Sequence, residues 1–519
     1  MTTAAERIGA GLAAARDPRP IQASERIHVV GAAGAGASAA ALLATQAGAV
    51  VTGCDPGTPS PYTAALDAVG IPIATEHSAA HVQGTPPPHR LAVTKALTAV
   101  DPDHPELAAA RARGIPLEPW QQVVADAAVG RRLVAVAGTH GKSTTAGWLV
   151  HVLVAAGQDP SAFVGALLPS SLTGGPPATA RSGKGAAFVV EADEYAGNFD
   201  PYRPDLAIVT SAEWDHPDVF ADGDAVIGAL EAWIRRARPG ATLIANVGEP
   251  GVAALVEGLA DWPGSLLAYA LLDQAPQRVG GYARAIADRF ATAAGPASTL
   301  LGRVAVSDPG STTLEIHGLD PLAGPLTARL VTAGRHNAAN ALAVAGAASA
   351  LGVPPATIVT ALGSFAGVGR RLERKGEVAG VTVYDDYGHH PTAIRETLAA
   401  VRQREPGKRV WAALEPLTFH RTAAMLGELA AALAEADAVA VADIWAGRDP
   451  DTTIASAAGL AAATAARRPG IPVLAPGSVE ATALALADAV APGDVVLVMG
   501  GGRSYRIGEL LLESLGGRP

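Results

Sequence analysis

Leu133-Val134-Ala135-Val136-Ala137-Gly138-Thr139-His140-Gly141-Lys142-Ser143-Thr144-Thr145 is an apolar run that breaks at a glycine turn and then opens a helix-like stretch through Ala156. A strand, a glycine loop and a helix start in that order make a phosphate cradle. Backbone N–H groups point at the anion and the helix dipole favours negative charge. Lys142 would reach the β- and γ-phosphates, and Ser143 offers a hydroxyl to magnesium. Val136 stands where the fuller phosphate-loop signature has glycine, so only the second half of that signature is met.

Two further apolar runs follow. Phe188-Val189-Val190-Glu191-Ala192-Asp193-Glu194 ends in three carboxylates, and the run from Ala207 ends in Glu213-Trp214-Asp215-His216. In an open parallel sheet the ligand crevice lies at the carboxyl ends of the strands. Glu191 and His216 are therefore expected to face the phosphate loop and hold a hard cation or its water. As isolated residues they would read as solvated charges at strand ends; their joint placement after Gly141-Lys142-Ser143 favours the site.

Nearer the N-terminus, Ile27 to Val30, a glycine turn, the Ala/Leu-rich stretch Ser38 to Ala47 and the run Ala49 to Thr52 read as the start of a βαβ unit. Its loop, Gly31-Ala32-Ala33-Gly34-Ala35-Gly36, has the order G-x-x-G-x-G rather than the dinucleotide fingerprint G-x-G-x-x-G, yet it permits diphosphate approach at a helix start. Asp55 follows the second strand where a Rossmann-type acid meets a ribose, so an NAD-dependent oxidoreductase is a competing reading. Strand-like runs resume at Val381 to Asp385, Arg409 to Leu414, Ala438 to Ala442, Val473 to Leu474 and Val495 to Met499, a third α/β sheet. Pro169 to Gly185 and roughly Ala275 to Pro325, rich in Gly, Pro, Ser and Thr, read as loops or insertions. Expected domains are 1–128, 129–362 and 363–519.

The chain's 519 residues fit three domains better than one, and 49% hydrophobic with 17% charged residues excludes extended disorder. A net charge of -10 opposes a nucleic-acid partner. One cysteine, Cys54, excludes an internal disulfide and a Cys-based zinc site, and fits a reducing compartment; it reads as a small buried residue. Val29 to Cys54 carries no charge, but Gly31, Gly34, Gly36, Thr45, Gln46 and Thr52 interrupt it, and acidic Glu6 precedes it without a signal-peptide layout. The expectation is a cytoplasmic protein with no membrane partner.

The ordered segments Gly138 to Thr145, Glu191 to Glu194, Asp215-His216, Gly334-Arg335-His336-Asn337-Ala338-Ala339-Asn340, Gly369-Arg370-Arg371 and Asp385-Asp386-Tyr387-Gly388-His389-His390-Pro391 resemble the successive motifs of the Mur ligase family. The similarity runs over roughly residues 25–515, and Gly31 to Ser38 and Asp386 to Pro391 are most like the alanine-adding members. The resemblance implies a Rossmann-like N-terminal domain, a central P-loop ATPase-like α/β domain and a C-terminal Rossmann-like α/β domain. It implies an ATP-dependent, ADP-forming ligase that joins L-alanine to UDP-N-acetylmuramate through an acyl phosphate in peptidoglycan precursor synthesis. ATP and Mg2+ are the implied cofactors. The alternative within the family attaches a tripeptide to the same sugar nucleotide.

Carried over by motif, Gly138, Thr139, His140, Gly141, Lys142, Ser143 and Thr144 would bind ATP, with His336 and Asn337 on the adenine side. Ser143, Glu191 and His216 would hold magnesium, and Arg371 and Asp386 would close over the nucleotide from the third domain. Lys142, Glu191, His216, Arg371 and Asp386 form the implied catalytic set. The resemblance assigns the loop of Gly31, Ala33, Gly34 and Gly36, with Asp55, to the UDP-sugar, Ala33 standing where glycine is common. Tyr387, His389 and Arg421 would take the amino acid. Here the match departs from the family: of the two arginines usual in that segment only Arg421 remains, and Thr418 stands in place of the other. Read without the resemblance, Asn337 would cap a helix, Arg370 and Arg371 would be a solvated charge pair, His389 and His390 a polar helix-start cluster, and Asp385 and Asp386 would need a cation or donors nearby.

Overall fold

The computed structural model describes residues 7–517 apart from 58, 273–275, 294, 321–323, 448 and 450; Glu6 lies outside them. Three sheets succeed one another along the chain. The first holds β1 (Arg26–Val30), β2 (Val50–Cys54), β3 (Ile73–Ala74), β4 (Arg90–Val93) and β5 (Leu117–Pro119), all parallel in the order β3-β2-β1-β4-β5. The glycine turn after β1 leads into α1 (Ala35–Gln46), whose run of buried alanines lets the helix lie close on the sheet. Two more helices cover this sheet, α2 (Pro105–Ala112) and α3 (Trp120–Ala127). Gly36 is required by packing: a Cβ there would run into the Trp120 indole.

The second sheet has ten strands: β6 (Arg132–Ala137), β7 (Ser161–Leu168), β8 (Ala178–Arg181), β9 (Ala187–Glu191), β10 (Leu206–Val209), β11 (Thr242–Asn246), β12 (Ser265–Leu272), β13 (Ala297–Asp308), β14 (Ser311–His317) and β15 (Leu326–Leu330). Their order is β15-β14-β13-β12-β11-β10-β6-β9-β7-β8. β6 is central and parallel to both neighbours, with Val136 level with Glu191 of β9 and Ala137 level with Val209 of β10. The carboxyl ends of the three strands thus lie side by side, and α4 (Lys142–Ala155) starts from the middle one.

Both Gly/Pro/Ser/Thr-rich stretches contain regular structure, which corrects their reading as loops. Pro169 to Gly185 holds a turn of helix, Ser170–Thr173, and β8. Within 275–325, of which 275, 294 and 321–323 lie outside the described residues, α5 (Pro276–Ala293) precedes the β13–β14 hairpin. β-branched Thr312 and Thr313 suit a strand, and the side chains of β14 alternate in burial towards its end. Composition pointed to loops; period-2 burial prevails.

After α6 (Arg335–Ala350) and the helix Pro355–Ser364, the third sheet gathers β16 (Glu373–Val378), β17 (Val381–Asp386), β18 (Val410–Glu415), β19 (Ala438–Ala442), β20 (Val473–Gly477) and β21 (Val495–Gly500) in the order β16-β17-β21-β18-β19-β20. Only β16 is antiparallel. α7 (Pro391–Arg404) and α8 (Phe419–Ala424) follow β17 and β18. No helix among the described residues is long and apolar enough to cross a membrane.

Trp148, fully buried on α4, stacks on Phe365 of the linker into the third sheet, with ring centroids 4.8 Å apart. Trp148→Ala should lower stability by about 3–5 kcal/mol, as large-to-small changes in packed cores do. Chemical denaturation followed by circular dichroism measures this; a loss below about 1 kcal/mol would mean that this contact does not anchor α4.

Candidate active site

The phosphate loop runs from Gly138 to Gly141, the residue that caps α4. Gly141 takes a left-handed φ of +81°, and a Cβ there would come within 2.6 Å of Asn340 Oδ1. Thr139 N donates to Ser211 O and His140 N to Ser211 Oγ, which ties the loop to the end of β10. Lys142 leads α4 back across the loop: its Nζ donates to Gly138 O at 2.6 Å and to Glu194 Oε2 at 3.0 Å, and lies 3.5 Å from Asp193.

The carboxylates arrive from β9. Glu191 Oε1 accepts from Ser143 Oγ at 3.1 Å and Oε2 from Gly165 N at 2.6 Å. Burial pushes Glu194 up to about 7, and Asp193 adds to the rise. Asp193 sits below its ordinary range, since Lys142 and His216 outweigh burial. Asp193, Glu194 and His216 bring one ligand atom each within 4.8 Å of one another. The hydroxyl of Ser143 and the carboxylates of Glu191, Asp193 and Glu194 are oxygen donors of the type magnesium takes, and His216 supplies nitrogen beside them; the residues present fit a divalent cation.

The third sheet reaches this loop through Arg370-Arg371-Leu372. Arg370 and Leu372 are non-glycine residues with left-handed φ values of 58° and 49°, a conformation that costs of order 1–3 kcal/mol per residue. They are held on both sides. Arg370 Nε donates to Asp385 at 3.0 Å and its Nη2 to Gly500 O and Ser504 Oγ, while Leu372 N donates to Asp386 Oδ2 at 2.7 Å. Arg371, between them, donates from Nη2 to Ser143 Oγ at 2.8 Å; its buried Nε has no hydrogen-bond partner among the described residues. Both guanidiniums lie about 5 Å from the Tyr387 ring, Arg370 at 5.2 Å and Arg371 at 5.1 Å.

Most of the expected residues line one cavity of about 830 Å3 bounded by all three sheets' domains, including Gly34, Gly36, Thr139, Ser143, Glu191, His216, His336, Asn337, Arg371, Asp386, Tyr387 and His389. Gly31, Ala33, Asp55, Gly138 and Arg421 lie outside its wall. Asp55 accepts from Ala33 N and from Gly57 N, and so shapes the glycine loop. Asp386 accepts from Leu372 N and Gly388 N and acts on the site through the turn that carries Arg371.

Three local readings need correction. α6 is capped by Gly334, and Asn337 instead donates to Ala333 O from inside the first turn. Arg370 and Arg371 are not a solvated pair. Asp385 finds the cation and donor it is expected to need in the guanidinium of Arg370. Arg421 is buried; its Nε donates to Asp215 at 2.7 Å and its Nη2 lies 3.2 Å from His216 Nδ1. Thr418, in the second arginine's place, caps α8.

Sequence reasoning passed over Asn340, which lies one turn after Asn337 and faces Gly141. It also left out Glu213, although the segment was quoted: its Oε2 accepts from Thr392 Oγ1 at 2.7 Å and lies 3.4 Å from His140. Lys95, which donates to Ala196 O, had no signal beyond its charge.

Three models of the Mur ligase family match the chain: "Mur ligase family, catalytic domain" over 26–132, "Mur ligase middle domain" over 136–348 and "Mur ligase, glutamate ligase domain" over 370–502. The UDP-N-acetylmuramate–L-alanine ligase of Frankia casuarinae is 38% identical over 527 aligned residues, covering 95% of this chain and 98% of that protein. The ligase of the same name from Acidothermus cellulolyticus is 35% identical, covering 96% and 97%. Among solved structures, the UDP-N-acetylmuramate–alanine ligase of Thermotoga maritima has the same fold, with a TM-score of 0.73 at 24% identity over 94% of this chain and 98% of that one. A murein peptide ligase from Psychrobacter arcticus gives 0.69 at 24% identity over 95% and 99%.

His390 caps α7: its Nδ1 accepts from Thr392 N and its Nε2 lies 3.1 Å from Trp214 O, a pairing that suits the neutral ring. Burial, with His140 adding, pushes His390 down to about 4. An unfolded imidazole protonates near pH 6.5, so between about 6.5 and 4 the unfolded state binds the extra proton. The stability His390 contributes is complete above that window and falls by up to about 1.4 kcal/mol per pH unit within it. The melting-temperature gap between wild type and His390→Gln should therefore narrow from pH 7.5 to pH 5; a constant gap would contradict it.

Proposed function

This chain belongs to the Mur ligase family, and from that premise we propose that it joins L-alanine to UDP-N-acetylmuramate with conversion of ATP to ADP and phosphate. A carboxylate does not accept an amine, because its leaving group is an oxide. Transfer of the γ-phosphoryl group to the muramate carboxylate releases ADP and makes an acyl phosphate; attack by the amine of alanine then expels phosphate and leaves the amide. Such transfers depend on alignment and on charge neutralisation around the phosphoryl group.

The carrying observation is the 2.8 Å contact of Arg371 with Ser143, which sets an arginine from the third domain against the phosphate loop of the second. In this reading the loop's N–H groups and Lys142 take the β- and γ-phosphates, and Arg371 faces the transferred group. Ser143 and Glu191 hold magnesium, with His216 beside a second ion; magnesium when bound offsets phosphate charge. Lys142 is paired with Glu194 and Asp193, so the nucleotide exchanges one set of anions for another. His336 and Asn337 flank the base, the Gly34 to Gly36 turn receives the diphosphate of the sugar nucleotide, and Tyr387 and His389 border the amino acid. Arg421 supports that border from behind, through Asp215. One cysteine and dependence on ATP fit the cytoplasm.

The nicotinamide reading has little support, since one oxygen of Asp55 accepts from Ala33 N of the glycine loop and the other from Gly57 N of its own turn. The purified chain with ATP, UDP-N-acetylmuramate and single amino acids should release ADP and phosphate with L-alanine. Release with a tripeptide but not with alanine would move the activity to the peptide-recycling branch. Lys142→Ala should cut turnover by roughly 10³-fold or more and Arg371→Ala by about 10²–10³-fold. Turnover indifferent to Lys142→Ala would refute the phosphate-loop assignment.

A further inference from the structure

The first sheet has a face outside the wall of the catalytic cavity, and four imidazoles, one thiol and one carboxylate converge on it. His28 comes from β1 and Cys54 from the end of β2; His77 and His81 follow β3, while His104 and Glu106 stand at the start of α2. None of them lines the cavity of the candidate active site. Cys54, Glu106, His28 and His104 are at most 2% exposed.

The spacing is that of a coordination shell. Cys54 Sγ lies 3.1 Å from Glu106 Oε2 and 3.2 Å from His77 Nδ1. Glu106 Oε2 is 3.5 Å from His28 Nε2, and Oε1 is 2.7 Å from His81 Nδ1. His28, Cys54, His81 and Glu106 each offer a ligand atom, all within 4.8 Å of one another. With metal–ligand bonds of about 2.0–2.3 Å, a tetrahedral shell has edges of roughly 3.3–3.8 Å, the range these atoms bracket. The orientation is also that of a ligand set. His28 Nδ1 is 2.8 Å from Thr52 Oγ1, which turns Nε2 inward; among the described residues that Nε2 and both ring nitrogens of buried His104 have no hydrogen-bond partner.

We propose that this cluster is a structural site for one zinc-class divalent cation, held by His28, Cys54, His81 and Glu106, with His77 and His104 packed around it. A thiolate and a carboxylate carry two negative charges that a divalent cation neutralises. Sulfur, nitrogen and oxygen donors together suit a borderline-soft metal better than magnesium, and four protein ligands leave no position open for catalysis. Binding releases the thiol proton to solvent, so affinity falls in acid. A single cysteine cannot build a thiolate cage, but it suffices for this mixed set.

The test uses the full-length, tag-free chain loaded with zinc and then with cobalt, followed by dialysis. Elemental analysis should give roughly one zinc per chain, and a chelator should lower the melting temperature. Because Cys54 is the chain's only thiol, a thiolate-to-cobalt charge-transfer band in the near ultraviolet reports this site and no other. Cys54→Ala should abolish the band, and His81→Ala should weaken metal retention. Loaded wild-type protein without that band, or retaining the same zinc as Cys54→Ala, would show a hydrogen-bonded polar cluster instead. The wild-type cobalt spectrum decides even if the variants fail to fold.

Discussion

The arrangement depends on a strained turn. Arg370 and Leu372 occupy left-handed backbone conformations so that Arg371, between them, can reach back from the third sheet to the phosphate loop. The strain is offset locally: Asp385, Gly500 O and Ser504 hold Arg370, and Asp386 holds the Leu372 amide. Side chains remote from the phosphates thereby fix where one guanidinium points. That is the economy of a multidomain ligase, in which a charge from a separate folding unit must meet the nucleotide without building the whole site on one chain segment.

The electrostatics of the loop follow. Lys142 is a half-buried cation, stable there because Glu194, Asp193 and Glu191 lie around it, and they raise its affinity for its proton. Glu194 also holds its proton more tightly, up to about 7, because burial disfavours its charged form and Asp193 adds to the rise. Such a cluster is poised for exchange. In the proposed reading a nucleotide's phosphates would displace the carboxylates from Lys142 and leave them available to cations. Towards the third domain, Glu213 lies 3.4 Å from His140 and 3.8 Å from His390 at the seam of the two sheets.

Much of this was legible in the chain. Apolar runs placed β1, β6, β17, β19 and β21 within a residue or two, because a buried parallel strand needs an unbroken apolar stretch. Lys142, Ser143 and Glu191 were legible because the loop and the strand ends are local features with fixed offsets. What stayed hidden depends on tertiary pairing. Nothing near Asp386 announces that it holds the Leu372 amide, and nothing near Arg421 announces Asp215, 206 positions away. The stretch 275–325 misled because its glycines, prolines and threonines fit a loop as well as a hairpin at a sheet edge. Cys54 and four histidines spread over β1, β2, the turn after β3 and α2 form one cluster only when the first sheet closes.

Convergence of two domains on one phosphoryl group is best tested by a double-mutant cycle on ATP affinity. Lys142→Met and Arg371→Met are measured singly and together by calorimetry, where each remains quantifiable even if turnover is lost. Groups that hold the same phosphates should couple, so the double variant's loss should differ from the sum of the single losses by about 0.5 kcal/mol or more. Losses that add within about 0.3 kcal/mol would mean that Lys142 and Arg371 serve separate sites.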